Sequence, residues 1–93
     1  MQPDVQLSRL AEKQLKRTPA YIRVKLARWI AQVLSHGLAQ VRQQPGYHDE
    51  PLKGKRKGQR SIRLNKQWRA IYTEDARGDL HLITIEEVNP HDY

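Results

Sequence analysis

The sequence predicts an α+β domain, in which an N-terminal strand and a helical hairpin pack on a mostly antiparallel, roughly four-stranded sheet. Three observations carry that prediction. Apolar residues recur at helical spacing between residues 8 and 36, three short runs between residues 60 and 88 read as strands, and Pro and Gly signals separate the pieces. Ninety-three residues supply interior for one modest core, so residues 1–93 are expected to form a single domain.

Taken in order, Asp4-Val5-Gln6-Leu7 alternates enough for a short first strand. Ser8 can cap a helix whose Leu7, Leu10, Ala11 and Leu15 share one face, with Lys16 and Arg17 suiting its carbonyl end. Thr18-Pro19 reads as an N-cap followed by the first helical residue of a second helix, about Pro19 to His36. Ile22, Leu26, Trp29, Ile30, Val33 and Leu34 form its apolar stripe, and Gly37 ends it. Residues 38–44 predict a further turn or two, pinned by Leu38 and Val41 and closed by Pro45-Gly46. Two strands follow, Arg60 to Asn65 and Gln67 to Thr73, then a turn over residues 75–79 and a β-branched strand over residues 80–88. Alternation sends Trp68, Ala70 and Tyr72 beneath the helices and leaves Arg69 and Arg63 on the open face. By the same count Glu87 has the parity of His81, Ile83 and Ile85.

Composition narrows the function. Mean hydropathy is −0.86, and no run of about 18 apolar residues or apolar leader is present, so no membrane span or export is expected. Zero cysteines exclude disulfides and thiolate metal sites and fit a reducing cytoplasm, the expected location. Neither metal-ligand spacing nor a nucleotide or nucleophile motif is found, so no metal and no cofactor is expected. A net charge of +7 favours a polyanionic partner.

That charge is concentrated. From Glu50 to Glu74 no acidic residue intervenes, while Lys53, Lys55, Arg56, Lys57, Arg60, Arg63 and Arg69 all fall inside. The loop Lys53-Gly54-Lys55-Arg56-Lys57-Gly58 has the composition of a phosphate-contacting segment and equally of a solvated charged turn. One carboxylate at the mouth of a cationic field is what a phosphodiester site needs. Plainer uses compete: Glu50 can pair with the loop, and Arg69 can bridge to Glu86 or Glu87.

These residues, with the ending His91-Asp92-Tyr93, carry a family likeness. The chain resembles the RelE/ParE superfamily of bacterial type II toxins over nearly its full length. YoeB-like toxins share Glu50-Pro51-Leu52-Lys53, Gly58, Ser61-Ile62-Arg63, Arg69-Ala70-Ile71-Tyr72 and a terminal His and Tyr, here separated by Asp92. HigB-like toxins share Gly58-Gln59-Arg60-Ser61-Ile62-Arg63 and Gln67-Trp68-Arg69. The resemblance implies a RelE/ParE-like fold and metal-free mRNA cleavage on the ribosome, giving a 2′,3′-cyclic phosphate and a 5′-OH. It assigns Glu50 as base, His91 as acid and Arg69 as transition-state stabiliser, with Tyr93 orienting or stacking on a base. Lys53, Lys55, Arg56, Lys57, Arg60 and Arg63 would contact RNA. His48, two residues before Glu50, competes with His91 as proton donor. Expected partners are mRNA, the ribosome with its 16S rRNA, and a cognate antitoxin of helix-turn-helix type. Two alternatives remain open: a ParE-like toxin acting on gyrase without nuclease activity, and a non-catalytic RNA- or ribosome-binding module.

Overall fold

The computed structural model describes residues 3–90. Five strands and three α-helices follow one another as β1 (Asp4–Leu7), α1 (Arg9–Leu15), α2 (Ala20–His36), α3 (Leu38–Arg42), β2 (Glu50–Pro51), β3 (Arg60–Arg63), β4 (Trp68–Arg77) and β5 (Leu80–Pro90). The sheet order is β1-β5-β4-β3-β2, with β1 parallel to β5 and every other pairing antiparallel. The expected α+β class and helical hairpin are present. The strand count is one higher because Glu50–Pro51, outside the predicted strands, pairs with Arg60–Ser61 as a two-residue edge strand.

The helices form where the apolar spacing places them. Ile22, Leu26, Trp29 and Val33 are buried in α2, and they meet Ile62, Leu64, Ala70, Tyr72, Ile83, Ile85 and Val88 of the sheet. Trp29 and Tyr72 stack obliquely at 5.2 Å between ring centres. Leu34, counted in the stripe by spacing, is 38% exposed and lies outside the buried row Ile22, Leu26, Trp29 and Val33. The predicted cap is shifted by one residue. Pro19 occupies the N-cap of α2, and the Thr18 hydroxyl turns back to donate to the Gln14 carbonyl, closing the end of α1. Gly37, at φ 86°, provides the break between α2 and α3, where a side chain would be strained.

Two side chains of the first helical segment complete an edge of the sheet. Strand β1 stops at Leu7, opposite Ile85, leaving the outer backbone of residues 86–88 uncovered. Ser8 caps α1 by accepting from the Ala11 N–H and donates its own hydroxyl to the Glu86 carbonyl at 2.7 Å. Gln14 then accepts the Val88 N–H at 2.7 Å. Backbone groups that would otherwise be unpaired are satisfied without another strand.

The hairpin from β4 to β5 is longer than the sequence predicts. Strand β4 runs through the expected turn to Arg77, so Gly78 and Asp79 alone reverse the chain, Gly78 at φ 53°. Between Ile71 and Tyr72 the register slips: Ile71 opposes Glu87, whereas Tyr72 opposes Ile85. This bulge inserts a residue into β5 and changes its parity. Glu87 therefore shares a cross-strand row with Ile71, not the face of Ile83 and Ile85, correcting the simple alternation.

Candidate active site

Opposite the helices, the sheet presents the face that carries the candidate chemistry. Residues directly opposed across strands share a face. Glu50, Ser61, Ile71 and Glu87 form one row, and Arg63, Arg69 and Asn89 form the next. Three distant segments thus bring a carboxylate and two guanidiniums together. They line a pocket of about 70 Å³ together with His48, Ser61, Asn65, Lys66 and Trp68. That volume holds several waters, or one phosphodiester group.

Local structure fixes each member. His48 takes the left-handed conformation, φ 46° and ψ 47°, at the end of the 3₁₀ turn Pro45–Tyr47. Such a backbone is uncommon for non-Gly residues, and His is among the few side chains enriched in it. The chain then extends, and alternation sends Asp49 inward and Glu50 onto the open face. Asp49, overlooked in the sequence, is the anchor. Its side chain is fully buried, accepts from Arg60 Nε at 2.6 Å and from the Tyr72 hydroxyl, and lies 3.9 Å from Arg42 Nε. Burial raises the pKa of Tyr72 first, and the hydrogen bond to Asp49 raises it further. On the other side of the pocket, the Asn65 side-chain carbonyl accepts from the N–H groups of Gln67 and Trp68. This tight turn sets Arg63 against Arg69.

The facing arginines have no carboxylate partner among the described residues. Directly opposed like charges repel, and the Nε of Arg69 is buried without a hydrogen-bond partner among those residues. Neither glutamate that competed for Arg69 takes it. Glu86 accepts from the Thr73 hydroxyl at 2.9 Å, while Glu87 accepts from Arg56 at 2.7 Å and from Asn89 at 3.1 Å. Glu50 likewise has no loop cation as partner among the described residues. A half-buried guanidinium whose Nε lacks a partner among the described residues, beside an exposed second one, is the feature an anion would complete.

Not every candidate joins this constellation. Arg60 pairs across from Tyr72 on the helix side and is held by Asp49, so it is turned away from the pocket. The cause is strand parity, because Arg60 and Arg63 are three residues apart and fall on opposite faces. Arg56 ties its 3₁₀ turn, Gly54–Arg56, to the sheet through Glu87. Lys53, Lys55 and Lys57 are exposed in that loop. His91 and Tyr93 lie outside the described residues. Strand β5 ends where Asn89 opposes Arg69 and Pro90 opposes Trp68. His81 is 2.7 Å from Glu74 near the far end of the sheet. Among the described residues no cluster of metal-ligating side chains is present, and no helix is long and apolar enough to cross a membrane.

Comparison with known proteins adds the remaining fact. No protein-family model and no curated protein sequence matches the chain. Solved structures do. YafQ from E. coli strain BL21(DE3) superposes with a TM-score of 0.72 at 23% identity, covering 97% of this chain and 94% of that one. The E. coli DinJ–YafQ toxin–antitoxin complex gives 0.71 at 26% identity, with 98% and 94% covered. A YoeB/ParE toxin from Agrobacterium tumefaciens gives 0.70 at 19% identity, with 96% and 99% covered. With this strand order, this helical hairpin and these likenesses, the chain has the fold of the RelE/ParE superfamily of type II toxins.

Proposed function

We propose that the chain is the toxin of a type II toxin–antitoxin pair and an endoribonuclease that cuts mRNA on the ribosome, stopping translation without a metal. The observation that carries the reading is the exposed Glu50 beside the opposed Arg63 and Arg69, which have no carboxylate partner among the described residues. Glu50 takes the proton of a ribose 2′-OH, and the oxygen attacks the adjacent phosphorus. Charge builds on the non-bridging oxygens of the phosphorane, where the two guanidiniums stabilise it. The bond to the 5′ oxygen breaks, and that oxygen receives a proton. The products are a 2′,3′-cyclic phosphate and a 5′-OH.

His91 is the proposed donor, since it follows Pro90 directly and β5 delivers the chain beside Arg69. An imidazole exchanges protons near neutrality. Tyr93 would orient the leaving nucleotide. His48, on the rim with Glu50, is the competing donor. Lys53, Lys55 and Lys57 hold flanking phosphates. The neutralising partner is a cognate antitoxin, a reading supported by the DinJ–YafQ structure, which is a toxin–antitoxin complex; its helix-turn-helix type is taken from the family likeness alone. The cytoplasm is the proposed location.

The test is translation in a cell extract with mapped RNA ends. Glu50→Ala, Arg69→Ala and His91→Ala should each lower cleavage by about 10²–10⁴, while His48→Ala should not. Cleavage undiminished by all of them, or gyrase-linked DNA breaks without cut mRNA, would reverse the reading.

A further inference from the structure

A second and larger cavity lies against the candidate active site. It measures about 540 Å³, within the range of small-molecule and nucleotide sites. Lys25, Arg28 and Gln32 of α2 form one wall, Tyr47 and Leu64 contribute aromatic and aliphatic surface, and Arg63 is shared with the smaller pocket. Lys25, Arg28 and Gln32 recur at three- and four-residue spacing and so project from one side of the helix. No acidic residue lines either wall.

We propose that this groove binds the nucleotides flanking the scissile linkage, so that the substrate strand passes around the β3–β4 turn from one cavity into the other. The inference rests on the endoribonuclease reading and extends it to the length of RNA engaged. Three features select a single strand of RNA. Arg63 is common to both cavities, so adjacent phosphates can be held on either side of it. Lys25 and Arg28 supply charge complementary to the backbone where the strand enters the groove. Tyr47 is half-buried, with its hydroxyl 3.4 Å from Gln32 Oε1, which holds a ring on which a base can stack. Gln44 donates to the same Gln32 oxygen at 3.0 Å, tying the 3₁₀ turn to the helix. Burial raises the Tyr47 pKa against the opposing pull of Arg28, which keeps that hydroxyl neutral.

The experiment compares a trinucleotide and a heptanucleotide, each with 2′-deoxyribose at its central position to prevent attack, by fluorescence anisotropy over a range of salt. The intact chain should bind the heptamer at least about tenfold more tightly than the trimer, because only the longer strand reaches the stacking ring. Lys25→Glu with Arg28→Glu, both exposed on α2, should remove that advantage while leaving the trimer unchanged. The same pair should lower the salt slope by about 1.4, two phosphates at about 0.7 each. Tyr47→Leu keeps apolar bulk and should cost the heptamer about tenfold without changing its salt slope.

A length advantage that survives the double reversal overturns the inference. If Glu50→Ala has meanwhile abolished cleavage in the extract, the nuclease reading stands. An acidic peptide that competes equally for both oligonucleotides, with no length advantage, assigns the groove to a protein and overturns the inference. Absence of binding by either oligonucleotide, together with full cleavage by Glu50→Ala, overturns both.

Discussion

Asp49 and Glu50 are neighbours in sequence and opposites in environment. Asp49 is fully buried, with Arg60, Tyr72 and Arg42 around it, and it serves to hold the segment in place. Glu50 is exposed, points to the other face, and shares a pocket with two arginines that lack carboxylate partners among the described residues. The lesson is about charge balance. Inside the protein, acid and base neutralise one another because an unmatched buried ion is costly. On the open face the imbalance is tolerated by water and is available to a phosphate.

This contrast can be broken from either side. The largest expected effect is on Glu50→Ala, which should reduce cleavage by about 10²–10⁴ yet shift stability by no more than about 0.5 kcal/mol, read by urea titration. Asp49→Ala should do the reverse and destabilise the fold by about 3 kcal/mol. That is the low end for a broken buried pair, because Arg60 and Arg42 are 26% and 31% exposed. Equal stability losses in the two variants would erase the distinction between the faces.

Tyr72→Phe is a milder cut, expected to cost about 1–3 kcal/mol by leaving one Asp49 oxygen without its hydroxyl donor. It also carries a pH signature. The folded-state pKa of Tyr72 is raised above its ordinary 10.0, by burial and then by Asp49. Its contribution is therefore complete below pH 10 and is lost as pH climbs beyond that value. Chemical denaturation between pH 9 and 11 should show a decline in the parent that is reduced in Tyr72→Phe.

The smallest effect belongs to Glu74. Burial pulls its pKa up, but hydrogen bonds from His81 and Arg42 outweigh that pull and hold it below the ordinary 4.5. Its contribution is present above pH 4.5 and disappears as pH falls through the lower folded-state value. Glu74→Gln should flatten the acid limb of a stability–pH curve by less than about 1 kcal/mol, since both Arg42 and Glu74 are about one-third exposed.

Much of the fold was legible from local signals. Ser8, the spacing Ile22-Leu26-Trp29-Val33 and Gly37 placed the helices to within a residue or two, because capping and periodicity are local properties. The Thr18 cap failed because a hydroxyl there has a better use closing α1. Glu50–Pro51 could not be read as a strand, since a two-residue edge exists only through its partner Arg60–Ser61. Glu87 was misassigned because a bulge is a property of two strands in register, and alternation within one cannot reveal it. In the site, parity put Arg63 and Arg69 on the open face, as the strand register has them, whereas Arg60 was named as an RNA contact without regard to its parity.

The order of residues by itself determined the classes of element, the cationic stretch with its lone leading carboxylate, and the parity that separates Arg69 from Tyr72. Those properties depend on neighbours a few positions away. Tertiary structure alone decided which cations are spent on internal carboxylates, as Arg60 and Arg56 are, and which line the pocket on the open face, as Arg63 and Arg69 do. The physical reason is range: an ion pair needs two groups within a few ångströms, and only folding brings residues 49 and 60, or 56 and 87, to that distance.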